Sequence, residues 1–182
     1  MAKKKKTIVY DKSEKASITN LTYEGKVCIK TVYDGVVISK KEIKNNGTNN
    51  LLNGICFWLA DNKLTNTNVY KPHYMACSNN TNQSAYDKSS STFGDNLIKG
   101  SIVPITSAIT DTSNHKIVYT AVIPGTAFSG AGDITHIGLF GDNLAEWLLA
   151  YINVNIDKPD SKTSLIIEWT VTLSNKGEIS NG

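Results

Sequence analysis

The sequence predicts a mainly β protein, an antiparallel β-sandwich of jelly-roll-like type with one short amphipathic helix. Three observations predict it. An Asp34-Gly35 pair stands between two β-branched runs, and four strand-length apolar runs fill the C-terminal third between Gly, Asn and Pro breaks. A single segment, after Asn45-Asn46-Gly47, shifts to a helical period. The 182 residues suit one domain with enough length for a real core. Residues 1–17 form a basic N-terminal arm and 18–182 a single sandwich domain, with the helix at 48–60 and long loops at 62–114.

Taken in order, the arm is polar and carries Lys3, Lys4, Lys5 and Lys6, then a small apolar cluster from Ile8 to Tyr10. Such a segment is either flexible or docked on something else. Val27, Ile29 and Thr31 alternate with Cys28, Lys30 and Val32, the period of two of a half-buried strand. Asp34-Gly35 then predicts a hairpin into Val36–Ile38, because both central residues of a type I′ turn need positive φ. Asn45-Asn46-Gly47-Thr48 marks a break and an N-cap. Leu51, Leu52, Ile55, Cys56 and Leu59 follow as a stripe on one helix face, suited to packing on a sheet.

A strand is expected at His73–Cys77, within a region otherwise dominated by polar clusters at Asn79–Ser84 and Ser89–Ser91. Loops of that length are commonly mobile or functional, so side-chain binding is sought there first. Beyond them, His115–Ile123 ends at a Pro124-Gly125 turn, and Ile134–Phe140 ends at Gly141-Asp142-Asn143. Trp147–Val154 is a third run. The last, Ser164–Leu173, sets Leu165, Ile167, Trp169, Val171 and Leu173 on one face against Ile166, Glu168, Thr170 and Thr172 on the other.

Composition narrows the function classes. The net charge is +3 and all 19 basic residues are lysine. Lacking the bidentate fork of arginine, the chain is not expected to bind nucleic acid specifically. No stretch approaches the roughly 18–20 consecutive apolar residues of a membrane span. Lys3–Lys6 lead into mixed sequence, not the apolar run of a signal peptide, so the chain is expected to stay in the cytoplasm that makes it until released. Cys28, Cys56 and Cys77 lack paired spacing and are expected as buried free thiols.

A search for chemistry yields no catalytic residue and implies no metal and no cofactor. His73, His115 and His136 each lie in or beside a strand, where a lone histidine is more often structural. His73 and Cys77 on one strand would stand about 13 Å apart, too far to chelate one ion. No G-x-S-x-G, H-E-x-x-H or P-loop occurs. Gly130-Ala131-Gly132 precedes a strand and is expected as a turn. Glu168 is expected as a solvated or edge charge. Tyr70, Tyr74, Tyr86 and Trp147 lie near loops, where they suit sugar stacking, interface anchoring or plain packing. The candidate partner contacts are therefore Lys3, Lys4, Lys5, Lys6, Tyr10, Tyr74 and Tyr86.

Three stretches carry a resemblance. An Asn-Gly-Thr break leads into a short amphipathic helix (46–59); ITHIGLF follows at 134–140; then come LLAYINV and SLIIEWTVTLSN within 148–175. Their order resembles small structural proteins of tailed phages of AT-rich Gram-positive bacteria, and the amino-terminal modules of some phage tail-collar and fibre proteins. The resemblance spans roughly two thirds of the chain and omits the arm and residues 62–114. It implies a virion protein, made in the host bacterial cytoplasm, homo-oligomeric, non-enzymatic and free of membrane contact. Its partners would be other virion proteins: the major capsid protein for a capsid decoration, or tail and collar proteins for a collar, baseplate or short-fibre component. The chain lacks shaft repeats and a receptor-binding tip, which favours decoration. A carbohydrate-binding module is the alternative from another class.

Overall fold

A computed structural model describes residues 21–59 and 67–175. The hairpin is present as expected: β1 (Leu21–Tyr33) turns at Asp34 and Gly35, with φ of 46° and 81°, into β2 (Val36–Lys44). A two-residue β3 (Asn46–Gly47) leads to helix α1 (Asn49–Leu59). Next come β4 (Tyr74–Ser78), β5 (Val103–Pro104), β6 (Ser107–Asp111) and β7 (Lys116–Pro124). Last are β8 (Ile134–Phe140), β9 (Leu148–Ile156) and β10 (Thr163–Asn175).

These strands make two five-stranded antiparallel sheets, ordered β2-β1-β10-β7-β6 and β3-β9-β8-β4-β5. The mainly β sandwich with one short helix is thus what the sequence led us to expect. The jelly-roll likeness is not confirmed, since β1-β2, β4-β5, β6-β7 and β8-β9 each stay within one sheet as consecutive neighbours.

One apolar cluster joins the facing sides. Val27 and Ile29 of β1, Ala121 and Ile123 of β7, and Leu165, Ile167 and Trp169 of β10 meet Met75, Cys77, Ile137, Leu139, Ala150 and Ile152 from the other sheet. Trp169 is the largest of these and fully buried. The second sheet is covered on its other face too. Ala76, Phe140, Leu148 and Tyr151 point away from the main core and pack with Phe93 and Tyr86 from the long connection between β4 and β5. Hence every residue of β8 is buried, as in strands enclosed on both faces. We call this the covered sheet and its partner the open sheet.

Gly138 shows how tight the covering is. A Cβ there would lie 2.6 Å from the Phe140 ring, 2.7 Å from Leu148 and 2.8 Å from Phe93. Only the missing side chain lets these three close over β8.

The helix keeps its place with adjustments. Thr48 precedes α1 and its carbonyl accepts from Leu52 N. Its hydroxyl, expected as the cap, is instead shared between the Leu148 and Leu149 carbonyls of β9 at 2.7 and 2.9 Å. Leu51 is buried and Ile55 half-buried, but Leu52 is 52% exposed, so the expected stripe is narrower. The described part of 62–114 holds three strands, of which only β4 was foreseen. At 79–93 they are loop, closed by side-chain turns such as Asn80 Oδ1 to Asn82 N at 3.0 Å and Asp87 Oδ1 to Ser89 N at 2.8 Å. Pro124-Gly125 opens a 3₁₀ turn, Gly125–Phe128, whose Phe128 is buried.

Candidate functional site

The two sheets leave very different surfaces. The covered sheet ends in the two-residue strands β3 and β5, the latter with Pro104, which shortens its exposed edges. The open sheet ends in β2 and β6, and nearly every residue of both is exposed. Among the described residues each of these strands has one neighbour, β1 or β7. At the tip of the first hairpin Val36, Val37 and Ile38 are 65, 53 and 62% exposed. The ladder is interrupted by a bulge between Thr31 and Val32, beside them.

Strand alternation fixes what the outer face of the open sheet carries. With Val27, Ile29 and Trp169 turned inward, Lys26, Cys28 and Lys30 of β1 and Ile166, Glu168 and Thr170 of β10 turn outward. Lys40, Glu42 and Lys44 of β2 lie on the same side, opposite Lys30, Cys28 and Lys26. Charges pair diagonally between strands, Lys26 to Glu42 at 2.5 Å and Lys30 to Glu168 at 2.6 Å, and along β2, Lys40 to Glu42 at 3.3 Å. Hydrogen bonds from Lys26 and Lys40 hold the Glu42 carboxyl below its usual pKa, and the bond to Glu168 raises that of Lys30. Exposed Ile109 and Val122 complete the face on the β6-β7 side.

Glu168 is therefore not an edge charge. It lies on the central strand and is paired. Cys28 is only half-buried, on this outer face, contrary to expectation. Cys77 is fully buried, and burial pushes its thiol up to about 12. The side chain of Cys56 lies outside the described residues.

The expected partner contacts are scattered. Lys3, Lys4, Lys5, Lys6 and Tyr10 fall outside the described residues. Tyr74 is half-buried beside the second cluster, on the covered sheet. Tyr86 is committed to internal contacts. Its ring stacks at 4.8 Å on both Phe93 and His136, and its hydroxyl donates to the Phe93 carbonyl at 3.1 Å. Tyr70 and Trp147 pack edge to face, with centroids 5.3 Å apart. These rings close the back of the covered sheet, which takes Tyr86 out of any sugar-stacking platform.

His136 is wholly buried there, with Nδ1 3.0 Å from the Thr135 hydroxyl. Burial lowers its pKa, offset in part by the Gln83 backbone. His115 sits at the β6-β7 turn with φ of 49°, and His73 ties two elements through its backbone, N to Phe140 O and O from Ile105 N. Among the described residues, no three His, Cys, Asp or Glu side chains gather as a metal site. No described helix is long and apolar enough to cross a membrane. An apolar hollow of about 440 Å³ lies at the end of the open sheet and is lined by Ile117, Val171 and Leu173 beside His115.

No family model, curated protein or solved structure matches this chain.

The residues that sequence reasoning missed are those of β2, Val36 to Glu42. They were expected only as the second strand of the hairpin. Only the strand order shows that β2 is an edge, and the lysine pair Lys40-Lys41 was the one available signal of it.

Proposed function

We propose that the chain is a non-enzymatic structural protein of a tailed-phage virion, a homo-oligomeric decoration protein of the head surface. The observation that carries this is the contrast, among the described residues, between a sheet covered on both faces and one whose edge strands β2 and β6 each have one neighbour and leave apolar side chains exposed. An edge strand is a template for another chain; Lys40, Lys41 and the bulge restrict what β2 accepts, but it stays nine residues long and exposed. The strands that carry the phage resemblance, β8, β9 and β10, form the middle of both sheets.

A tail-side role, as a collar, baseplate or short-fibre component, is the second reading. It is favoured by the similarity of the same three strands to fibre modules. Quantitative mass spectrometry of particles of the encoding phage separates the two. A copy number near that of the major capsid protein is expected for decoration, and a few per hundred for the collar or baseplate. Absence from the particle contradicts both.

A further inference from the structure

We infer that two copies of the chain join through β2, pairing antiparallel about a two-fold axis at Lys41, so that their open sheets become one continuous ten-stranded sheet. This deepens the homo-oligomeric part of the function proposed above and requires nothing of where in a particle the protein sits.

The edge itself selects the occupant. A two-fold axis perpendicular to a sheet brings a strand against its own copy in antiparallel sense, and directly opposite residues then share a face. The bulge beside Thr31 and Val32 breaks the ladder at Ile38, so the regular stretch of β2 is Ser39–Lys44. Pairing is confined to that stretch and its close neighbours.

Charge and length together choose the register: a pairing centred on Ile43 would also oppose Glu42 to Lys44 twice, but within Ser39–Lys44 it spans only Glu42–Lys44, whereas one centred on Lys41 spans Ser39–Ile43. Centred on Glu42, the pairing would oppose Glu42 to Glu42 and Lys40 to Lys44. Centred on Lys40, it would oppose Lys40 to Lys40 and leave Glu42 facing Ile38. Centred on Lys41, it opposes Lys40 of each copy to Glu42 of the other, on the outer face, twice per interface. Opposite charges in directly opposed positions stabilise a sheet, and like charges destabilise it. Glu42 already gathers Lys26 and Lys40 of its own chain, so the interface extends an alternating row of charge already present.

Lys41 is the cost of this register. It lies opposite buried Ile29, on the core side of the edge, and would face its own copy on the axis. An inward lysine on an edge strand limits indiscriminate pairing. Here it keeps the dimer reversible and stops the edge from accepting any strand. At the other ends of the two sheets, β6 has one neighbour among the described residues, so it could take the next contact in a lattice.

Sedimentation equilibrium on the full chain tests this with four proteins. The wild type is expected as a monomer–dimer equilibrium. Glu42→Lys should weaken it by at least about tenfold, since two favourable oppositions become unfavourable. Lys40→Glu combined with Glu42→Lys restores the complementarity and should recover the dimer, which a merely misfolded single variant could not do. Lys41→Cys should give a covalent dimer on oxidation, because residues facing each other on the axis stand within disulfide reach. A wild-type oligomer whose mass is unchanged by Glu42→Lys would overturn the β2 interface and leave homo-oligomerisation standing. A wild type that stays monomeric at high concentration would overturn both, while the particle count reports on the virion role separately.

Discussion

In the covered sheet, both faces of β8 are buried, and a long connection spends Tyr86 and Phe93 on closing its back. In the open sheet, β10 buries Trp169 on one side and shows Glu168 to solvent on the other. The two sheets share one core, yet among the described residues only the covered one is also closed on its outer face. Stability therefore rests on the shared core and the covered back, whereas the outer face and edges of the open sheet are where substitutions should alter association and spare the fold.

The largest expected effects fall on the shared core. Trp169→Ala should cost about 3–5 kcal/mol in chemical denaturation, by lost burial and the cavity left behind. Phe93→Ala, although it lies in a connection and not in a strand, should fall in the same range. If it costs no more than a surface change, the back of the covered sheet is not a true core. As the counterpart, Ile109→Ala on the open sheet should stay within about 0.5 kcal/mol.

Acid should sharpen the contrast next. His136 is buried with its pKa lowered, so the fold holds it neutral while the unfolded chain takes up a proton near pH 6.5. Its stabilising share is therefore fully present above that pH and is lost as pH falls below it. Stability measured from pH 8 to 5 should decline in the wild type and flatten in His136→Gln. Equal slopes would show that the imidazole is not held neutral.

Thiol chemistry gives a smaller, local readout. Cys77, with its pKa near 12, should resist alkylation in the folded protein. Cys28 on the outer face should label first, although burial raises its pKa too. Peptide mapping after brief alkylation distinguishes them. The smallest effect expected is at Lys30 and Glu168, whose double-mutant coupling should fade with added salt because the pair is partly solvated.

What the sequence disclosed follows the same division. β1 and β10 were legible because one face of each meets solvent, so alternation is clean, and the hairpin was legible from its Asp34-Gly35 turn. ITHIGLF was legible as a strand, but its burial on both faces was not, since His136 and Gly138 look out of place in a core until Tyr86 and Phe93 are seen to cover them. β6 went unread because SAITD is an exposed edge with no apolar face to betray it. The polar clusters between 79 and 91 were read correctly as loop, because Asn and Asp side chains there bond the backbone two residues on. The candidate site was least legible. Exposure of Val36, Val37 and Ile38 depends on strand order, which no local pattern encodes.

The central claim is that the open sheet is the assembly surface and the covered sheet its rigid support. Hydrogen–deuterium exchange, compared between the dilute chain and purified particles, tests it most directly. The account predicts that peptides spanning Val36–Lys44 exchange readily in the dilute chain and become protected in the particle, while Tyr74–Ser78 and Ile134–Phe140 are protected in both. Unchanged exchange in β2, with new protection on the covered sheet instead, would contradict it.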